Sequence, residues 1–155
     1  MKDLFHASRP ARQPSSDLGT ASIEFALIVP LLALMVAGLF DLGYAAYESM
    51  VVQAAAEAGA QYASTNTWNA TAIANAVTSS TELSGISATP APSQFCACAT
   101  GGTLAAVSCI STCTGGGTPG TYGLINAQVT HYNLLPYPGL SYPTTITAQA
   151  RRRLQ

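Results

Sequence analysis

Hydrophobic and polar positions divide the chain into stretches of different periodicity. Residues 25–40 form an uncharged, almost continuous apolar run. Strong helix formers follow to about residue 64, which predicts one unbroken helix from the run onward. Beyond it, short alternating segments separated by glycine-rich turns predict strands at residues 94–99, 104–109, 122–134 and 144–151. The pattern therefore predicts an α+β protein in which one long helix precedes a small antiparallel sheet.

Two shorter features lie between the long helix and the sheet. Residues 66–80 predict a second helix with Asn69 as N-cap and with Ile73 and Val77 on one face. Trp68 is interpreted as a core or hinge anchor in preference to a ligand site. Residues 84–93 read as a link, and residues 136–143 read as a turn between the last two strands.

The apolar run is predicted to cross a membrane. Its sixteen residues rise about 24 Å as a helix, and the flanks 21–23 and 42–44 complete a span of ~30 Å. Pro30 is expected to kink it. A buried helix of a soluble domain and a cleaved secretory signal are the alternatives. Both are disfavoured, the second because the polar leader is long and Glu24 lies inside the apolar entry.

Charged residues are few and unevenly distributed along the chain. Only 8% of the 155 residues are charged, and no Lys or Arg occurs between Arg12 and Arg151. Basic residues before the run place the N-terminus in the cytoplasm and the rest outside it. The missing basic face excludes nucleic acid as a partner. The triplet Arg151–Arg153 is predicted to be a solvated chain end in preference to a lipid-binding patch.

The stretch "LGTASIEF" resembles the processing site of type IV prepilins. The resemblance implies cleavage by a prepilin peptidase between Gly19 and Thr20, so that Glu24 becomes the fifth residue of the mature protein and Phe25 follows it. Since a buried charge persists only when it is paired, Glu24 is expected to bind the new Thr20 amine of a neighbouring subunit. A carboxylate that snorkels to the membrane interface is the alternative.

Residues 19–63 are also similar to the TadE-like family, minor pilin-like proteins of the Tad (tight adherence) pilus. The shared features are Glu24-Phe25-Ala26, Pro30, the glycines at 38 and 43, and an Ala-rich stretch. Many members carry an arginine before its final Gly-Ala, where this chain has Ala58. The resemblance implies a leader (1–19), a transmembrane and extended helix (20–64), and an extracytoplasmic pilin-like head (65–155).

The same resemblance implies a non-enzymatic pseudopilin of a bacterial inner membrane, crossing it once and entering a pilus for adherence or secretion. Its implied partners are the peptidase, other pilin and pseudopilin subunits, the inner-membrane assembly platform and the lipid bilayer. It implies no cofactor and no metal. A static inner-membrane scaffold and a secreted disulfide-containing binding module are the alternative functions.

Small residues recur at four-residue spacing on the predicted long helix, as at Ala55 and Gly59. Such spacing allows another helix or a sheet to approach closely. The face is expected to pack either against neighbouring pilin helices or within the protein's own head. The acidic residues Asp41, Glu48 and Glu57 are predicted to be solvated.

Four cysteines form two close pairs, Cys96 with Cys98 and Cys109 with Cys113. A bridge within Cys-x-Cys would be strained, so two disulfides between the pairs are favoured, with connectivity open. A zinc site is the alternative. The sequence shows no catalytic set: His6 lies in the leader, and His131 is an isolated histidine in a predicted strand.

Overall fold

The computed structural model describes residues 17–133 and 144–154. It confirms the α+β class, with a long N-terminal apolar helix and a small antiparallel sheet. The helices are α1 (Asp17–Thr65) and α2 (Ala70–Ser79). The strands are β1 (Ser93–Thr100), β2 (Thr103–Ala106), β3 (Gly120–Thr130) and β4 (Thr145–Arg153). Asn69 caps α2 as predicted, because its side chain accepts a hydrogen bond from the Ala72 amide at 3.1 Å.

Helix α1 contains one segment long and apolar enough to cross a membrane. Its most apolar 18-residue window has a mean hydropathy of 2.4, and none of that window is buried within the protein. Pro30 lies inside the helix. The chain divides into two compact units after Gly38, so the later part of α1 belongs to the unit that contains the sheet.

The four strands form one antiparallel sheet in the order β2-β1-β3-β4. Alternation along β3 turns Ile125, Ala127 and Val129 to one face, where they are buried. Ile125 lies opposite Ala150 of β4 in the strand register. This face packs on α1 and α2, and the core contains Val52, Ala56, Ile73 and Val77.

Gly59 permits a close approach between α1 and its neighbours in this core. A Cβ placed on Gly59 would lie 2.5 Å from Cγ2 of Val77 and 3.0 Å from Cγ2 of Ile125. Ala55 is also buried, at 1% exposure. Of the two alternatives left open by the sequence, the structure therefore supports packing within the protein's own head.

Two predicted strand ends were wrong. β2 stops at Ala106, three residues early, because the chain then turns at Ser108, whose carbonyl accepts a hydrogen bond from the Ser111 amide at 3.0 Å. β3 ends at Thr130, so His131 follows the strand instead of lying in it. The predicted turn at 136–143 and most of the predicted leader lie outside the described residues.

Candidate functional site

The predicted processing and assembly residues all lie on the first turns of α1. Thr20, Glu24 and Phe25 are exposed, Phe25 at 68%. Thr20 and Glu24 are four residues apart, so they lie on the same side of the helix, one turn from each other. A Cβ added at Gly19 would meet nothing within 4 Å. This part of the chain therefore presents Gly19, Glu24 and Phe25 on an accessible helix surface.

A buried acid–histidine pair lies where α1 enters the sheet-containing unit. Glu48 Oε2 is 2.5 Å from Nδ1 of His131, and the two side chains are 4% and 3% exposed. Glu48 comes from α1, and His131 comes directly after β3. The His131 amide also donates to the Thr144 carbonyl at 2.9 Å, which fixes this end of the β3–β4 pair. The contact joins the long helix to the sheet across 83 residues of sequence.

The prediction that Asp41 and Glu48 are solvated was wrong. Asp41 is 5% exposed and Glu48 is 3% exposed, whereas Glu57 is exposed as predicted. Glu48 is buried because a charge-compatible partner, His131, meets it from the sheet. Nothing local in the sequence marks that partner. Asp41 lines a pocket of about 340 Å³ together with His131 and the apolar side chains of Leu42 and Ile146.

Two disulfides fasten the segment after β2 to strand β1. Cys96 is bonded to Cys109 and Cys98 to Cys113, with Cα–Cα distances of 5.1 and 5.6 Å. Both bridges run between the two close pairs, as the sequence favoured, and the structure supplies the connectivity that the sequence left open. In this arrangement each cysteine sulfur is bonded to one other sulfur, so none is a thiolate that could bind zinc.

The three arginines continue strand β4 and are exposed there. Arg151 donates from Nε and Nη2 to Oε1 of Gln149, at 3.1 and 2.8 Å. Gln149 donates to Oδ1 of Asn126 at 3.0 Å. The triplet is solvated as predicted, but it belongs to an ordered strand that pairs with residues 122–124 of β3.

A comparison with known protein families matches one part of the chain. The model of the TadE-like protein family matches residues 19–61, which is most of α1. The resemblance inferred from the sequence is thus confirmed over this helix, which also contains the apolar segment that could cross a membrane. Neither a curated protein nor a solved structure matches the chain.

Proposed function

We propose, starting from the TadE-like character of residues 19–61, that this protein is a minor pilin-like subunit of a Tad-type pilus. The observation that carries the proposal is the coincidence of three features on one helix. They are the family match, an apolar segment with no buried residue in its most apolar window, and an exposed Glu24 five residues after Gly19. A helix of this kind requires an apolar environment, which a bilayer or a bundle of neighbouring apolar helices supplies.

Cleavage between Gly19 and Thr20 by a prepilin peptidase creates an ammonium group at Thr20. In a stack of helices, Glu24 of one subunit then binds the Thr20 ammonium of its neighbour. The pair fixes the axial register between helices, since a shift of one turn would leave a carboxylate without its cation in apolar surroundings. Phe25 lies next to this contact and contributes apolar area to it.

The remainder of the chain forms the head outside the cytoplasm. The basic residues of the leader, Lys2, Arg9 and Arg12, keep it on the cytoplasmic side. The segment around residues 25–40 crosses the inner membrane. The two disulfides suit the oxidising periplasm. The assembly platform of the inner membrane then transfers the subunit into the filament, where it acts structurally and not as an enzyme.

The test is the N-terminal sequence and intact mass of the membrane-extracted protein, from cells with and without the prepilin peptidase. We expect a start at Thr20 that depends on the peptidase. A start at Met1 in both strains would refute the processing step and the role of the Thr20 amine. A start beyond residue 40 would identify the secreted module instead.

Filament entry needs a separate measurement. Sheared pili should contain the processed protein in small amounts relative to the main subunit, detected by mass spectrometry. A protein that is processed but stays entirely in the membrane fraction would be a static scaffold of the assembly machinery.

A further inference from the structure

A second feature of the head lies at the far end of α1, around the only tryptophan of the chain. A pocket of about 400 Å³ opens there, and Trp68 forms part of its wall. The other lining residues are neutral and mostly polar: Ala63, Ser64, Thr65, Asn66, Thr67, Gln94 and Leu154. The pocket belongs entirely to the unit that contains the sheet.

The tryptophan ring is held in place by the core. Trp68 is half-buried and packs against the core cluster. A Cβ added at Gly123 would lie 3.0 Å from its Cζ3 atom, so the glycine provides the space that the indole occupies. The ring is therefore fixed against the sheet, and Trp68 also lines the pocket. A rigid aromatic surface is a pre-organised platform for a ligand.

The polar groups around the ring fall into two sets. Ser64, Thr65 and Asn66 donate to carbonyls of the last turn of α1, with Asn66 Nδ2 3.1 Å from the Tyr62 carbonyl. These side chains cap the C-terminal end of α1. Within residues 17–133 and 144–154, the side chains of Thr67, Trp68 and Gln94 make no hydrogen bond. They provide a hydroxyl, an indole N–H and an amide beside the aromatic surface.

We infer that this pocket binds a neutral saccharide, with a pyranose ring against Trp68 and its hydroxyls hydrogen-bonded to Thr67 and Gln94. A gluco-configured pyranose combines a flat C–H face with hydroxyl groups at its rim, which matches an aromatic surface edged by neutral donors and acceptors. The absence of charged side chains among the described lining residues disfavours an ionic ligand. The inference does not depend on cleavage after Gly19 or on filament assembly.

Trp68 itself reports binding, because no other tryptophan contributes to the fluorescence. The full chain is studied in a detergent without a sugar head group, and cellohexaose and chitohexaose are the probes. We expect a saturable change in Trp68 emission with at least one probe in the micromolar to millimolar range. No saturable change with either probe up to tens of millimolar would overturn the inference.

Two substitutions keep the reporter and test the site. Gln94→Ala and Thr67→Ala should each weaken binding about five- to tenfold, as loss of one hydrogen bond does. Gln61→Ala is the matched control, an exposed glutamine of α1 outside the pocket, and should bind as the unmodified chain does. Equal affinity in all three variants would show that the emission change does not arise in this pocket.

A photo-crosslinking residue at position 94 tests whether another protein subunit, and not a saccharide, occupies the pocket. Capture of another pilus subunit in intact cells, together with the lack of a saccharide response, would make the pocket a subunit contact and overturn the inference.

Discussion

The carboxylate of Glu48 and the imidazole of His131 meet at 2.5 Å in the interior of a protein that has few charges. The contact fastens the helix that enters the head to the end of the β3–β4 pair. Both groups are removed from water, and Tyr44 of α1 interacts with the same Glu48 carboxylate, so the buried acid is compensated by these two partners. The pair therefore determines where the sheet lies along this part of α1.

Breaking the pair should destabilise the head. We expect Glu48→Ala or His131→Ala to lower the free energy of unfolding by about 3 kcal/mol, since each leaves a buried polar partner behind. Replacing both residues with leucine should recover much of that loss. Denaturant unfolding of the full chain in detergent, followed by Trp68 fluorescence, measures these values.

Gln53→Ala is the control for this series. Gln53 donates to the exposed Glu57 at 2.9 Å on the same helix, and its removal should change stability by less than about 0.5 kcal/mol. If the single Glu48 and His131 variants were as stable as this control, the pair would have no role in fixing the sheet.

A side chain at Gly59 should destabilise the core. Gly59→Ala places a methyl group 2.5 Å from Val77 Cγ2, and overpacking of this kind costs about 1–3 kcal/mol. Gly43→Ala is the matched control on the same helix, where the new Cβ meets nothing within 4 Å. Thermal unfolding should show a lower midpoint for Gly59→Ala and an unchanged or higher one for Gly43→Ala. The opposite order would contradict the packing of α1 on α2.

The disulfide connectivity can be tested by removing cysteines in pairs. Cys98→Ser with Cys113→Ser should leave Cys96 bonded to Cys109 and no reactive thiol. Cys98→Ser with Cys109→Ser should leave two thiols whose partners are gone. The mass added by a thiol-blocking reagent under denaturing conditions distinguishes the two variants. The reverse pattern of labelling would mean that the bridges are crossed differently.

Each bridge should also stabilise the head. The bonded cysteines are 13 and 15 residues apart. Chain-entropy arguments assign loops of this size about 3 kcal/mol each. The Cys98→Ser, Cys113→Ser variant should show this loss in denaturant unfolding, relative to the unmodified oxidised chain. A free energy of unfolding equal to that of the unmodified chain would count against the bridge.

Glu24 should matter for assembly and not for insertion. Glu24→Ala is expected to leave membrane insertion and processing unchanged while the amount of filament falls, because the Thr20 ammonium of a neighbour loses its carboxylate. Immunoblots of membranes and quantification of sheared pili measure the two steps separately. Glu57→Ala removes an exposed acid of the same helix and serves as control. Normal pili with Glu24→Ala would refute the register role.

Local patterns were sufficient to predict most of the secondary structure. The helix α2 with its Asn69 cap follows from the spacing of Ile73 and Val77, and strand β1 follows from alternation over a few residues. These signals depend on neighbours in sequence. The end of β2 was wrong because a local turn at Ser108 was missed, and the end of β3 was wrong because the position of His131 depends on contacts with residues distant in sequence.

The interior of the head was harder to predict for the same reason. Glu48 looks like a solvated residue of an Ala-rich helix until His131 is brought to it across 83 residues. From the sequence alone, Gly59 could contact either another subunit or a residue of the same chain. The position of the sheet and α2 shows that it contacts Val77. Whether an acidic or small residue on a helix is solvated, buried or in contact with another subunit depends on what packs on that helix.

Strand β4 is an outer strand of the sheet, and it ends in three consecutive arginines. A sheet edge offers unpaired backbone groups to any extended chain nearby, and clustered positive charge is a common protection against that. Copies of this protein crowded together would repel one another along this edge. Sheet-to-sheet growth from this edge into an amyloid-like ribbon is thereby disfavoured.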